Sequence, residues 1–169
     1  MLGLRVPEEH GGLGLGPLAS ATFSEALGSS TFAGFEVTVL VHTDMSGPHL
    51  VNSGTDEQLA EWMPGVLSGE TILSIGVTEP DAGSDVAGIR STAVKDGDHY
   101  IINGQKTWTT LGHFGDWIFC LVRTDTKAEK KQTGISFIVV DMKSPGVEVR
   151  PIITLDGSHE VNEVWFTDV

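Results

Sequence analysis

The hydrophobic pattern of this chain changes period near residue 70, and that change limits the fold more than any other feature. Before it, apolar residues recur at helical spacing; after Gly69 they come in short runs rich in β-branched and aromatic side chains. PLASATFSEALGSS carries Leu18, Thr22, Phe23 and Leu27 at helix-compatible spacing, with Pro17 at a first-turn position and Gly28 as a stop. FAGFEVTVLVHTDM is an apolar stretch that a helix buried on most sides would explain, although its β-branched content also permits a strand. In SGTDEQLAEWMPGV, Thr55 precedes an acidic first turn, Leu59, Trp62 and Met63 share one face, and Pro64-Gly65 falls near the end.

Beyond Gly69 the runs ILSIGV, STAVKD, HYIIN, KTWTT, WIFCLV, ISFIVVD, VEVRPII and VNEVWF read as strands. Asp96-Gly97 and Asn103-Gly104 are both tight-turn signals. Many short strands at this spacing indicate a sandwich or barrel rather than alternating β–α units. The expected class is α+β, with a helical domain over 1–70 and a β domain over 71–169, joined without a flexible linker. No internal repeat is present, and AEKKQ at 128–132 reads as a solvated hairpin tip.

The chain has 169 residues, enough for one good core or two small units sharing one. Its 23 acidic and 10 basic residues leave a net charge of −13, which repels nucleic-acid phosphates and anionic membranes. No apolar run approaches a membrane span, and MLGLRVPEEH lacks the apolar core of a signal peptide, so a cytoplasmic location is the default. Cys120 is the single cysteine; it lies in an apolar run and reads as a small buried hydrophobe. GGLGLG at 11–16 does not satisfy G-x-G-x-x-G and reads as a connecting loop. The six histidines lack zinc-site spacing, and no G-x-S-x-G is present.

VTEPDAGSD at 77–85 concentrates three carboxylates, two hydroxyls and a glycine in nine positions. Residue chemistry alone leaves its role open. Glu79, Asp81 and Asp85 lack the order of a calcium loop, and a turn after a strand is the modal reading. Gly83-Ser84 would still offer backbone N–H groups to an anion if the pair formed a nest, and Asp85 is placed to cap backbone donors.

GVTEPDAGSDVAG at 76–88 and YIINGQKTWTT at 100–110 together resemble two signature blocks of the acyl-CoA dehydrogenases. VPEEHGGLGLG and SGTDEQLAEWMPGVLSGE are similar to the family's N-terminal helical region, and GISFIVVDMKSPGVEVRPI and EVNEVWFTDV to its later strands. The resemblance implies an N-terminal helical domain, a middle antiparallel β-barrel and a C-terminal helical bundle, with FAD between barrel and bundle. It places the main chain of Gly76 and Val77 and the Thr78 hydroxyl at the flavin pyrimidine. Gly83 and Ser84 fall at the pyrophosphate, with Ser84 also toward the CoA part of the substrate. Trp108 lies against the isoalloxazine, with Thr109 and Thr110 near its reactive nitrogen.

The implied reaction is α,β-dehydrogenation of an acyl-CoA thioester to a 2-enoyl-CoA, with an electron-transfer flavoprotein as acceptor and assembly as a homo- or hetero-oligomer. The family's base is a glutamate of the C-terminal bundle, so no glutamate here takes that role, and the chain reads as a piece of a longer protein or half of a split enzyme. Leu111 stands where many relatives carry asparagine or another small polar residue. KTWTTLGHFGDWIFCLVRTD and ITLDGSHEVNEVWF are most similar to pimeloyl-CoA dehydrogenase-like members. Two other classes remain: a non-catalytic flavin- or CoA-binding subunit, and a flavin oxidase or oxygenase on the same fold.

Overall fold

The computed structural model describes residues 2–169, the side chain of Ala33 excepted. Its contacts divide into two compact units, one ending at Leu73 and the other Ser74–Val169.

The first unit is helical. A 3-10 turn at Glu8–His10 leads into the glycine-rich loop, which folds back on the preceding residues: Leu13 N–H donates to Gly3 O (3.0 Å) and Gly14 N–H to Val6 O (2.8 Å). Gly12 is needed there because a Cβ would sit 2.0 Å from Val6 O. Helix α1 (Pro17–Gly28) starts on its proline as expected. Helix α2 (Ala33–Leu40) runs through a π-helical turn, Val41–Ser46, into α3 (Gly47–Ser53). Pro48 has no N–H to continue the ladder, and the widened turn sends the Gly47 N–H back to His42 O instead. FAGFEVTVL is therefore helical, but it is not buried on most sides, since Phe32 and Phe35 are 71% and 59% exposed.

Helix α4 (Asp56–Ser68) opens with a capping box: Gln58 N–H donates to the Thr55 hydroxyl, and Thr55 N–H donates to the Gln58 side chain. It continues past Pro64 to a left-handed Gly69, because Leu59, Met63 and Val66 keep one buried face through the proline. His42 is buried here: Leu73 N–H donates to its Nδ1 (3.1 Å), so the proton sits on Nε2 and faces Val66 O (2.9 Å). Burial, outweighing that carbonyl, holds its pKa below the ordinary imidazole value. Among the described residues, no helix is long and apolar enough to cross a membrane.

The β region comprises β1 (Leu73–Gly76), β2 (Thr92–Asp96), β3 (His99–Thr110), β4 (Trp117–Arg123), β5 (Ile135–Asp141), β6 (Val147–Ile153) and β7 (His159–Phe166). Asp96-Gly97 makes the expected tight hairpin: Asp96 pairs with His99, and Gly97 has φ 59°. Asn103-Gly104 does not make a turn. HYIIN and KTWTT form one continuous strand whose first half pairs with β2 and whose second half pairs with β7. Gly104 sits at that handover with φ 149°, and a Cβ there would lie 2.3 Å from Ser91 Oγ.

The strand order is β1-β4-β2-β3-β7-β6, with β5 along the other edge of β4. The class is α+β, but the sheet does not close into the expected barrel. β2 meets β4 through a single parallel pair, Thr92 with Arg123, and β5 and β6 are not paired with each other. Inside lie Ala93, Ile102, Ile118, Cys120, Val122, Val140, Val164 and Phe166. Cys120 is fully buried, and burial pushes its thiol up to about 12, which removes it from nucleophilic chemistry.

Candidate functional site

The two sequence blocks meet in space. The segment after β1 lies beside the second half of β3, and Thr107 N–H donates to Thr78 O (2.9 Å). This bond exists because β3 leaves its ladder with β7 between Lys106 and Thr109. The bulge also shifts the side-chain alternation by one residue. From buried Lys106, strict alternation would carry Trp108 inward; instead Trp108 is 58% exposed at φ 60°, and Thr109 is turned inside.

Of the carboxylates in VTEPDAGSD, only Glu79 is internal. Its carboxylate accepts from Lys106 Nζ (2.7 Å), Ser91 N–H (3.0 Å) and Arg90 N–H. Lys106 has no exposed surface, and its ammonium also points at Val77 O (3.4 Å). Burial pushes the Glu79 carboxyl up, but the ammonium and the backbone donors together outweigh it and hold it below the usual carboxylate range. Asp81 instead pairs with Arg90 on the surface (2.9 Å). The Asp85 carboxylate makes no cap bond, and the 3-10 turn Val86–Gly88 is closed by main-chain bonds. Gly83 is not among the glycines with positive φ, so Gly83-Ser84 does not form an anion nest.

The far side of the bulge is held by neutral groups. Asn162 on β7 is fully buried; its Nδ2 donates to Thr109 O (3.0 Å) and to His113 Nδ1 (3.1 Å). Its Oδ1 accepts from His159 Nε2 (2.7 Å), and the two imidazoles stack at 4.2 Å. Because His113 Nδ1 must accept, its proton sits on Nε2. Burial first, and His159 second, lower the His113 pKa against the opposing pull of Asn162. Leu111 follows in the left-handed region (φ 50°, ψ 24°), a backbone state that asparagine tolerates better than leucine.

Gly76 ends β1, buried so tightly that a Cβ would lie 3.0–3.1 Å from Ile118, Cys120 and Lys106. Val77 and Thr78 are half-buried, while Gly83 and Ser84 are exposed. Among the described residues, no hydrogen-bond partner is found for the hydroxyls of Thr78, Ser84 and Thr110. Thr109 is set apart from Trp108 and Thr110: its hydroxyl is buried without a partner, on the opposite face of the strand. The sequence reading assigned no role to Lys106 or Asn162. Each carried a signal, a polar residue at an inward position of an otherwise apolar strand.

Comparison with known proteins is decisive for family. The acyl-CoA dehydrogenase N-terminal domain matches residues 1–70, and the acyl-CoA dehydrogenase middle domain matches residues 74–169. The chain belongs to the acyl-CoA dehydrogenase family. It is 43% identical to acyl-CoA dehydrogenase FadE29 of Mycobacterium tuberculosis over 99% of this chain and 42% of that protein. Its structure resembles that of an acyl-CoA dehydrogenase from Geobacillus kaustophilus, with TM-score 0.88, 37% identity, and coverage of 99% of this chain and 44% of that one. It also resembles the FAD complex of PigA, with TM-score 0.92, 27% identity, and coverage of 99% and 44%. The chain thus spans less than half the length of these relatives.

FAD is the cofactor of this acyl-CoA dehydrogenase family. The residues present fit that group: hydroxyls at Thr78 and Thr110 with no bond found among the described residues, an exposed indole at Trp108, and open room beside Gly83, where a Cβ would meet nothing within 4 Å.

Proposed function

We propose that this chain is the FAD- and substrate-holding portion of an enzyme that dehydrogenates an acyl-CoA thioester at its α,β bond. The carrying observation is the Thr107 N–H to Thr78 O bond, which brings the segment of Thr78 beside the strand that carries the exposed Trp108 and Thr110. When bound, FAD supplies the acceptor for the electrons of that oxidation. The Thr78 and Thr110 hydroxyls would hold the flavin, Trp108 would offer it an indole face, and Ser84 would meet the phosphate or CoA portion. Thr109 serves through its main chain, its side chain being directed inward.

Glu79 is not a base in this reading, because its carboxylate is engaged by Lys106 and two backbone donors and held ionised. The partners are an acyl-CoA thioester, an electron-transfer flavoprotein and further subunits, and the location is cytoplasmic. Family membership supports these partners, and the location is the default carried over from the sequence.

Titration of the chain with FAD tests the cofactor assignment. Quenching of tryptophan fluorescence that is largely lost in Trp108→Phe is expected; unchanged fluorescence and no retained flavin absorbance would reject it. Anaerobic bleaching of bound flavin by acyl-CoA in the whole protein separates the dehydrogenase from a passive binding subunit, and slow reoxidation in air separates it from an oxidase.

A further inference from the structure

We propose that the buried Lys106–Glu79 ion pair is the positioning element that locks residues 77–79 to residues 106–107, and that it sets both the affinity and the redox environment of the flavin held there. The inference rests on the flavin reading above. Three consecutive loop residues are tied to two consecutive strand residues: Val77 O to Lys106 Nζ, Thr78 O to Thr107 N–H, and the Glu79 carboxylate to Lys106 Nζ. The main chain of Thr78 is therefore fixed in relation to Trp108, one residue beyond the lock.

The pair also reaches the start of β2, because Glu79 accepts from the N–H groups of Arg90 and Ser91. The lysine stem fills the space beside Gly76, where a Cβ would lie 3.1 Å from Lys106 Cγ. One ammonium and one carboxylate thus join β1, β2, β3 and the loop. Glu79 N–H and Ala82 N–H each bond the other's carbonyl, closing the loop into a tight turn directly after the lock.

Two buried charges are costly unless each is paired and hydrogen-bonded, and an apolar pair of similar volume would often stabilise the fold as well. What an ion pair adds is directionality, together with a balanced charge next to the cofactor seam. That balance separates positioning of the flavin from simple support of the fold. Removing only Glu79 leaves a buried cation, which favours a reduced, more negative flavin. Removing only Lys106 leaves an anion, which disfavours it.

The test uses the full chain with Glu79→Gln, an isostere, with Lys106→Met, and with both changes together. Two readouts apply: amide hydrogen exchange at Thr107 and Ala82 without FAD, and the FAD affinity and midpoint potential at pH 8. Faster exchange at Thr107 is expected in both single variants. FAD binding weakens roughly tenfold or more, as for loss of a charge-assisted bond. The potential rises in Glu79→Gln, falls in Lys106→Met, and returns toward the unmodified value in the double variant.

Unchanged exchange at Thr107, or potentials moving in the same direction in both single variants, would overturn the proposal. If Lys106→Met does not fold, the isosteric Glu79→Gln decides through exchange at Thr107 and the sign of its potential shift. Failure of the unmodified chain to take up FAD would reject the flavin reading instead, while Thr107 exchange would still judge the lock.

Discussion

The two sides of the candidate site are held by opposite means. Residues 77–79 are fixed by a buried ion pair, whereas residues 109–113 are fixed by a neutral amide between two imidazoles. A charged lock is rigid and directional, and it fails abruptly when one partner is lost. A neutral network costs less to bury, yet it depends on tautomers and therefore responds to mild acid. One site thus combines an acid-resistant edge with an acid-sensitive one.

The largest effect should come from breaking the charged edge. Lys106→Met strands the Glu79 carboxylate and is expected to cost about 3–5 kcal/mol, read from the urea midpoint. The double change with Glu79→Leu should cost less than this single change. A loss for Lys106→Met below about 1 kcal/mol would remove the contrast. On the neutral edge, Asn162→Ala leaves Thr109 O and His159 without their partner and should cost about 1–3 kcal/mol in the same assay.

Acid sharpens the comparison. His113 has a lowered folded pKa, so the unfolded chain takes up the proton first. Its contribution is complete above pH 6.5 and is lost as pH falls from there through the folded value. Glu79 is also lowered, and its contribution persists until pH falls below 4.5 toward its own folded value. His113→Gln should therefore flatten part of the stability slope just below pH 6.5 and leave the limb below pH 4.5 unaltered. His42 shifts in the same direction, so some of the upper slope should survive; a slope unchanged by His113→Gln would show that His42 carries all of it. The smallest effect is a gain: Leu111→Asn relieves the left-handed backbone strain and should add up to about 1 kcal/mol.

Features governed by neighbouring residues were legible in the sequence. Thr55 announced the start of α4, and Asp96-Gly97 announced its hairpin, because caps and two-residue turns are local chemistry. Asn103-Gly104 carried the same local signal and misled. Its glycine serves close packing against Ser91 inside one long strand, a demand set by a residue distant in sequence. The apolar character of FAGFEVTVL allowed helix or strand and suggested burial, but it did not reveal the exposure of Phe32 and Phe35, since a hydrophobic run does not record what covers it.

The site itself was legible as two blocks through the resemblance, but their meeting at Thr78 and Thr107 was not, since it joins residues 29 apart. The parity shift that turns Trp108 out and Thr109 in was not legible, because a bulge leaves no mark on a strand's composition. The Lys106–Glu79 pair joins residues 27 apart, beyond the reach of any local pattern.

β3 belongs to two ladders at once, taking β2 along its first half and β7 along its second. Opening either ladder frees only its half of the shared strand while the other half stays held, so the strands around it should behave as one cooperative unit rather than as separable foldons. Partial opening at the bulge would be quickly reversed by the intact ladder on its N-terminal side. The amides of β3 near Gly104 should then exchange only with global unfolding, making the centre of this strand the slowest clock in the molecule.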